Sequence, residues 1–157
     1  MKLFFLLFLL VSNAIAIDSF TLNSEKTLYI VDGDSVSVQM RIAGIDTPEI
    51  TQPCQKIQHQ TIDCGRLAEG YLKKLLSTTS GKLLITPIAI DHYQRILVRV
   101  YKGNTDIGRA MVELGMAFSY KNTYRQEEGS AKSKKLGFWG FYKPPIKPYQ
   151  WRKANRR

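Results

Sequence analysis

Apolar and polar residues alternate early in the chain. The stretch 27–31 reads as a strand that stops at the turn residues Asp32-Gly33-Asp34. Val36, Val38, Met40 and Ile42 then fall at period two, the pattern of a half-buried strand. Gly44-Ile45-Asp46-Thr47-Pro48-Glu49 breaks it. Over 64–77 the spacing changes to that of a helix, with Leu67, Ala68, Tyr71, Leu72, Leu75 and Leu76 on one face. Residues 82–90 and 96–101 read as two strands around Asp91-His92-Tyr93-Gln94-Arg95. A short helix is expected over 106–114, stopped by Gly115, and a last one over 124–135, ending at Gly137. Strands, helix, strands and two helices, with no internal repeat, predict an α+β domain.

The first residues have a different pattern. Met1-Lys2 supplies a positive start, Leu3 to Val11 is nine unbroken apolar residues, and Ala14-Ile15-Ala16 ends the run with small residues. A membrane span needs roughly 20 apolar residues, and Ser12-Asn13 interrupts this one too early. Residues 1–16 are therefore expected to be a cleaved signal peptide, which places the mature chain, starting at Ile17, in the periplasm or outside the cell. An uncleaved anchor is the other possibility. In an oxidising compartment Cys54 and Cys64, ten positions apart across a polar loop, are expected to form a disulfide. Closing so short a loop is worth about 2–3 kcal/mol in the chain-entropy model. Two free thiols are the alternative.

Composition removes several function classes. Of 157 residues, 44% are hydrophobic, enough for a real core. Two histidines, His59 and His92, are too few for a three-histidine zinc site, and there is no Cys-x-x-Cys pair. Neither phosphate-cradling glycine motif occurs. The net charge of +10 is unevenly placed: residues 17–128 hold 13 basic and 13 acidic side chains, whereas 129–157 hold nine basic and none acidic. The excess therefore belongs to the C-terminal part, where 143–157 reads as a basic tail broken by Pro144, Pro145 and Pro148 and interleaved with Tyr149 and Trp151. Such a segment suits a polyanion, with aromatic faces for bases. It also suits a solvated tail that promotes solubility. The domain proper is read as 17–142.

The acids suggest chemistry. Asp34, Asp46 and Glu49 lie within sixteen positions, the first two where strands end. Carboxylates with backbone carbonyls are hard ligands for Ca²⁺ or Mg²⁺. Arg41 lies between them, and Arg95 stands in a turn that can approach the same place. Two guanidiniums beside a hard cation are what a phosphodiester transition state needs, because forked donors bind the oxygens on which negative charge gathers. A spare carboxylate can take a proton from water.

Taken together, Val31-Asp32-Gly33-Asp34-Ser35, Arg41-Ile42-Ala43-Gly44-Ile45-Asp46-Thr47-Pro48-Glu49 and Tyr93-Gln94-Arg95 resemble the staphylococcal nuclease (thermonuclease) family. Gly115-Met116-Ala117, Tyr120 and Lys135-Leu136-Gly137-Phe138-Trp139 look like that family's closing elements, so the resemblance covers roughly 27–140. It implies an OB-fold, a five-stranded β-barrel with about three helices. It also implies Ca²⁺-dependent cleavage of DNA and RNA to 3′-phosphate and 5′-hydroxyl ends. By position, Asp34, Asp46 and the main-chain carbonyl of Thr47 would ligate Ca²⁺, with Asp32 behind them. Glu49 would activate or orient the attacking water. Arg41 and Arg95 would stabilise the transition state, and Tyr93 and Tyr120 would line the nucleotide pocket, with Tyr124 an alternative to Tyr120. Cys54 and Cys64 look like those of secreted bacterial members. Two departures stand out: Ser35 replaces the usual threonine, and seven positions separate Asp34 from Arg41, fewer than in most members. Nothing demands more than a monomer. A catalytically inactive nucleic-acid-binding module of the same fold, and a phosphodiesterase acting on something smaller than a polymer, are the alternative functions.

Overall fold

The computed structural model describes residues 28–155; the expected signal peptide at 1–16 lies outside them. β1 (Leu28–Ile30) and β2 (Val36–Val38) form an antiparallel hairpin around the Asp-Gly-Asp turn. The alternating run that starts at Val36 divides at Gln39. Beyond it β3 (Met40–Ile42) leaves β1 and runs parallel to β8 (Ile96–Lys102), with Arg41 opposite Leu97. One bent strand thus serves two sheets, and so few positions suffice between Asp34 and Arg41.

β7 (Leu83–Ile90) pairs antiparallel with β8 and carries a register shift between Pro87 and Ala89. Proline has no N–H to donate, and β7 lies at the sheet edge, where that loss is tolerated. Two short ladders complete the strand set: β4 (Ile45–Asp46) pairs with β10 (Phe118–Ser119), and β9 (Thr105–Asp106) with the end of β8. The segment between the cysteines, read above as a polar loop, is an antiparallel hairpin of β5 (Pro53–Ile57) and β6 (Gln60–Asp63), turned at His59 with φ 65°. Its residues are polar because it packs little of itself into the core.

The expected helices are present as α1 (Cys64–Thr78), α2 (Ile107–Glu113) and α3 (Arg125–Ser133). Asp106 starts α2 by accepting the Arg109 N–H, the usual work of an N-terminal aspartate. A further helix, α4 (Pro148–Ala154), lies inside the segment read as a tail. Proline at its first position has its φ already set for a helix. No helix among the described residues is long and apolar enough to cross a membrane.

β8 buries Ile96, Val98 and Val100 on one face, against Ile107 and the Leu72–Leu75 stripe of α1. On the other side of α1, Cys64 and Ala68 meet Met111, Val112, Met116, Ala117 and Phe138. Each large apolar side chain so buried contributes about 1.5–3 kcal/mol. This core fixes α1, β3, β4 and β8, the elements from which the site is built.

Candidate active site

Arg41 is the middle residue of β3 and Asp46 closes β4, with a tight turn between the two strands. Gly44 makes that turn possible at φ +78°, and a Cβ there would press on Thr123 and Tyr124. The turn folds Arg41 back so that its Nη2 donates to Asp46 Oδ1 at 2.6 Å and to the Ile45 carbonyl at 3.4 Å. Asp46 is buried, pinned opposite Phe118 on β10. Thr47 and Pro48 continue to Glu49, whose side chain is half-exposed.

A buried amide holds the Glu49 loop. Gln52 is fully buried; its Oε1 accepts the Glu49 N–H at 3.1 Å and its Nε2 donates to the Ile146 carbonyl at 2.7 Å. Its backbone carbonyl accepts from Cys64 N–H, which ties the loop to the start of α1. The Cys54–Cys64 disulfide, with Cα atoms 5.8 Å apart, braces the same junction. Gly65 completes the packing, since a Cβ there would collide with the Glu49 carbonyl. Replacing Gln52 by Ala is expected to cost about 2–3 kcal/mol, because a fully buried side chain is removed and the part-buried Glu49 N–H and Ile146 carbonyl lose their partner. Urea unfolding of the oxidised protein, with and without the substitution, measures this.

The β7–β8 turn supplies the second guanidinium. Asp91 Oδ1 accepts the backbone N–H groups of Tyr93 and Arg95, both at 2.9 Å, while Oδ2 takes Nε and Nη2 of Arg95 at 2.8 and 2.7 Å. Gln94 takes the left-handed backbone, φ 63°, that this turn requires. Burial works against the Asp91 charge, but the Arg95 N–H groups and the Tyr93 N–H outweigh it and hold the carboxyl below its usual range. A guanidinium has five N–H donors, so Arg95 is aimed by Asp91 with donors to spare. It also lies 5.2 Å from the centre of the Tyr93 ring, which stacks on His92.

These parts meet in one cleft of about 1230 Å³, lined by Arg41, Glu49, Tyr93, Arg95 and Tyr120 among others. It therefore gathers both expected guanidiniums, the expected water-handling carboxylate and both expected pocket tyrosines. Tyr124 belongs elsewhere: it is buried, its hydroxyl donates to Asp106 Oδ2 at 2.9 Å, and burial pushes its phenol up to about 12. Five basic side chains (Arg41, Arg95, Lys121, Arg152, Lys153) line the cleft against the acids Glu49 and Asp91, a balance suited to a polyanion.

Asp34 and Asp32 are not brought to that cleft. Both are exposed on the β1–β2 turn, where Asp32 accepts the Asp34 N–H at 3.2 Å and Ser35 Oγ donates to Asp34 at 3.3 Å. The Ser35 hydroxyl and the Asp34 N–H lower the Asp32 pKa. Among the described residues no three acidic, histidine or cysteine side chains converge as a metal-binding group. What the fold does assemble is a pair, Asp46 and Glu49, and a cation already stands on it. Arg152 of α4 places Nη1 2.6 Å from Glu49 Oε1 and 3.3 Å from Asp46 Oδ1, and Nη2 3.0 Å from Asp46 Oδ2. The all-oxygen pair accepts positive charge, which fits a hard cation.

The local signals of the sequence missed Arg152 and Gln52. Nothing near Gln52 marks it, and Arg152 was legible only as one of the basic residues interleaved with aromatics. The segment 143–155 folds back on the domain: Gln55 and Lys143 exchange backbone hydrogen bonds, Pro145 and Pro148 are buried, and Tyr149, Trp151, Arg152, Lys153 and Asn155 line the cleft.

The sequence model of the family described as "Staphylococcal nuclease homologue" matches residues 39–140, the span that holds Arg41, Asp46, Glu49 and Arg95. The chain belongs to the staphylococcal nuclease family. Its fold is accordingly the OB-type barrel of that family, and it is a hydrolase of the nuclease class. Among relatives of this staphylococcal nuclease homologue, an "Uncharacterized endonuclease" of Haemophilus influenzae is 31% identical over 147 residues, 85% of this chain and 75% of the relative. The "Thermonuclease" of Staphylococcus hyicus is 24% identical over 129 residues, 73% of this chain and 74% of the relative. The "Staphylococcal-like nuclease CAN1" of Arabidopsis thaliana is 28% identical over 123 residues, 75% of this chain but 34% of that longer protein. Beyond 140 the family model does not extend, so α4 lies outside the matched span.

Proposed function

We propose that this protein is a secreted or periplasmic, Ca²⁺-dependent, sugar-nonspecific nuclease that hydrolyses phosphodiester bonds of DNA and RNA to 3′-phosphate and 5′-hydroxyl ends. The observation that carries this reading is the convergence of Arg41, Glu49 and Arg95 in one basic, aromatic-lined cleft. The names of the relatives, endonuclease and thermonuclease, support it. A cleft of this size and charge favours a polymer over a small phosphodiester.

Each residue has a role that follows from its setting. Arg95, aimed by Asp91, and Arg41, anchored on Asp46, present forked donors to the non-bridging phosphate oxygens, where charge grows in the transition state. Glu49 takes the proton of the attacking water or orients that water in line with the leaving oxygen. Tyr93 and Tyr120, both exposed at the rim, offer faces on which bases of either sugar type stack. Asp46 and the Thr47 carbonyl would hold the Ca²⁺; Asp34, with Asp32 behind it, would complete the set only with the β1–β2 hairpin folded onto the cleft, where it does not lie in this structure. When bound, that ion supplies charge neutralisation at the phosphate and orders a water. In this scheme the protein acts as a monomer.

The test uses residues 17–157 with plasmid, single-stranded DNA and RNA, in Ca²⁺, in Mg²⁺ and in chelator. Cleavage of all three substrates that needs Ca²⁺ and yields 3′-phosphate ends is the expected result. Tight binding without cleavage in either metal would overturn the reading and leave a nucleic-acid-binding module.

A further inference from the structure

We propose that Arg152 is the site's own counter-ion, a guanidinium that occupies the Asp46–Glu49 pair in the cation-free protein and must leave Asp46 when a divalent cation binds. This inference rests on the proposed role of Asp46 as a cation ligand.

Both oxygens of Asp46 are occupied by guanidiniums. Arg41 Nη2 and Arg152 Nη1 share Oδ1, at 2.6 and 3.3 Å, and Arg152 Nη2 takes Oδ2 at 3.0 Å. A hard divalent ion needs at least one of these oxygens in direct contact. A cation and a guanidinium crowded on one buried carboxylate repel each other, and water cannot screen them well there. One guanidinium has to yield.

The architecture decides which. Arg41 is fixed by the β3–β8 ladder and by its second hydrogen bond to the Ile45 carbonyl. Arg152 stands on a seven-residue helix reached through Pro144 and Pro145, and its side chain is 40% exposed. The hydrogen-bonded anchors of this segment, the Gln55–Lys143 pairing and the Gln52–Ile146 hydrogen bond, lie before α4, and within the helix the buried residue is Pro148 at its first position, four residues ahead of Arg152. The helix can therefore move its guanidinium off Asp46 without dismantling the Glu49 loop. A guanidinium is protonated at any working pH, so Arg152 competes for Asp46 as a full positive charge.

Calorimetric Ca²⁺ titration of residues 17–157, without nucleic acid, tests this. Arg152→Gln is expected to bind Ca²⁺ about tenfold more tightly than wild type, a size typical of coupled sites. Arg152→Lys, which keeps the charge but not the fork, is expected to fall between them. A second readout needs no substitution: Ca²⁺ should speed amide hydrogen exchange in residues 148–155 of the wild type, and chelator should reverse it. Equal or weaker Ca²⁺ binding by Arg152→Gln, or exchange in α4 that ignores Ca²⁺, overturns the inference even where Ca²⁺-dependent cleavage persists. If neither protein binds Ca²⁺ and neither cleaves, the nuclease reading fails together with it.

Discussion

Replacing Glu49 by Gln is expected to lower turnover by roughly 10²–10⁴-fold, the usual contribution of a positioned proton acceptor, while leaving nucleic-acid affinity nearly unchanged. The substitution keeps the size of the side chain, and the loop that carries it is held by backbone contacts: Glu49 N–H on Gln52, and Gln52 N–H on the Glu49 carbonyl. Neither depends on the carboxylate. What is lost is a carboxylate that can accept a proton, and with it the negative partner of Arg152. Single-turnover cleavage and filter binding, measured on the same preparations, separate the two effects. Near-native turnover would remove Glu49 from the chemistry, and a parallel loss of affinity would make it a binding residue.

Arg95→Ala is expected to reduce cleavage by roughly 10²–10³-fold, the typical loss when one preorganised donor to a developing oxyanion is removed. Arg95→Lys should recover little, because an ammonium cannot hold Asp91 and phosphate in the same forked geometry. The turn itself should survive, since Asp91 Oδ1 still accepts the backbone N–H groups of residues 93 and 95. A melting temperature close to wild type beside a collapsed kcat is therefore the diagnostic pair. Cleavage at the native rate would take Arg95 out of the site.

Some of this site could be read from residue order. Arg41, Asp46 and Glu49 are neighbours along the chain, and a strand followed by a glycine turn can only fold them together. Arg95 was readable because Asp91 and Arg95 flank a short turn between two clear strands. The helices α1, α2 and α3 followed from apolar spacing and from the glycines at or beyond their ends. The unreadable parts depend on partners far away in sequence. Gln52 looks like any polar residue until its amide is seen to reach Ile146, 94 positions on. The helix α4 is too short, and too rich in proline and charge, for periodicity to reveal. Its guanidinium reaches Asp46 across 106 positions and Glu49 across 103. The β5–β6 hairpin escaped for a related reason: its residues are too polar to show the alternation of a half-buried strand.

The Asp34 turn is the converse case. Its motif is clear in the sequence, and the fold places it at the tip of an exposed two-stranded hairpin away from the Asp46–Glu49 pair. Its hydrogen bonds are internal to the turn, from Asp34 N–H to Asp32 and from Ser35 to Asp34. A motif thus predicts the composition of a ligand set more securely than its assembly.

The position of α4 also bears on how the protein can be handled. Asn155 lines the cleft, so a fusion joined soon after it begins close to the site wall. An oligohistidine purification tag attached there would bring imidazoles, and any nickel they retain, beside Asp46 and Glu49. Metal-dependence assays on such material would report the tag as much as the enzyme. A bulky carrier at the same end would crowd the mouth through which a strand of nucleic acid must enter. The affinity handle belongs at the other end of the chain order, away from the guanidinium that sits on the carboxylates.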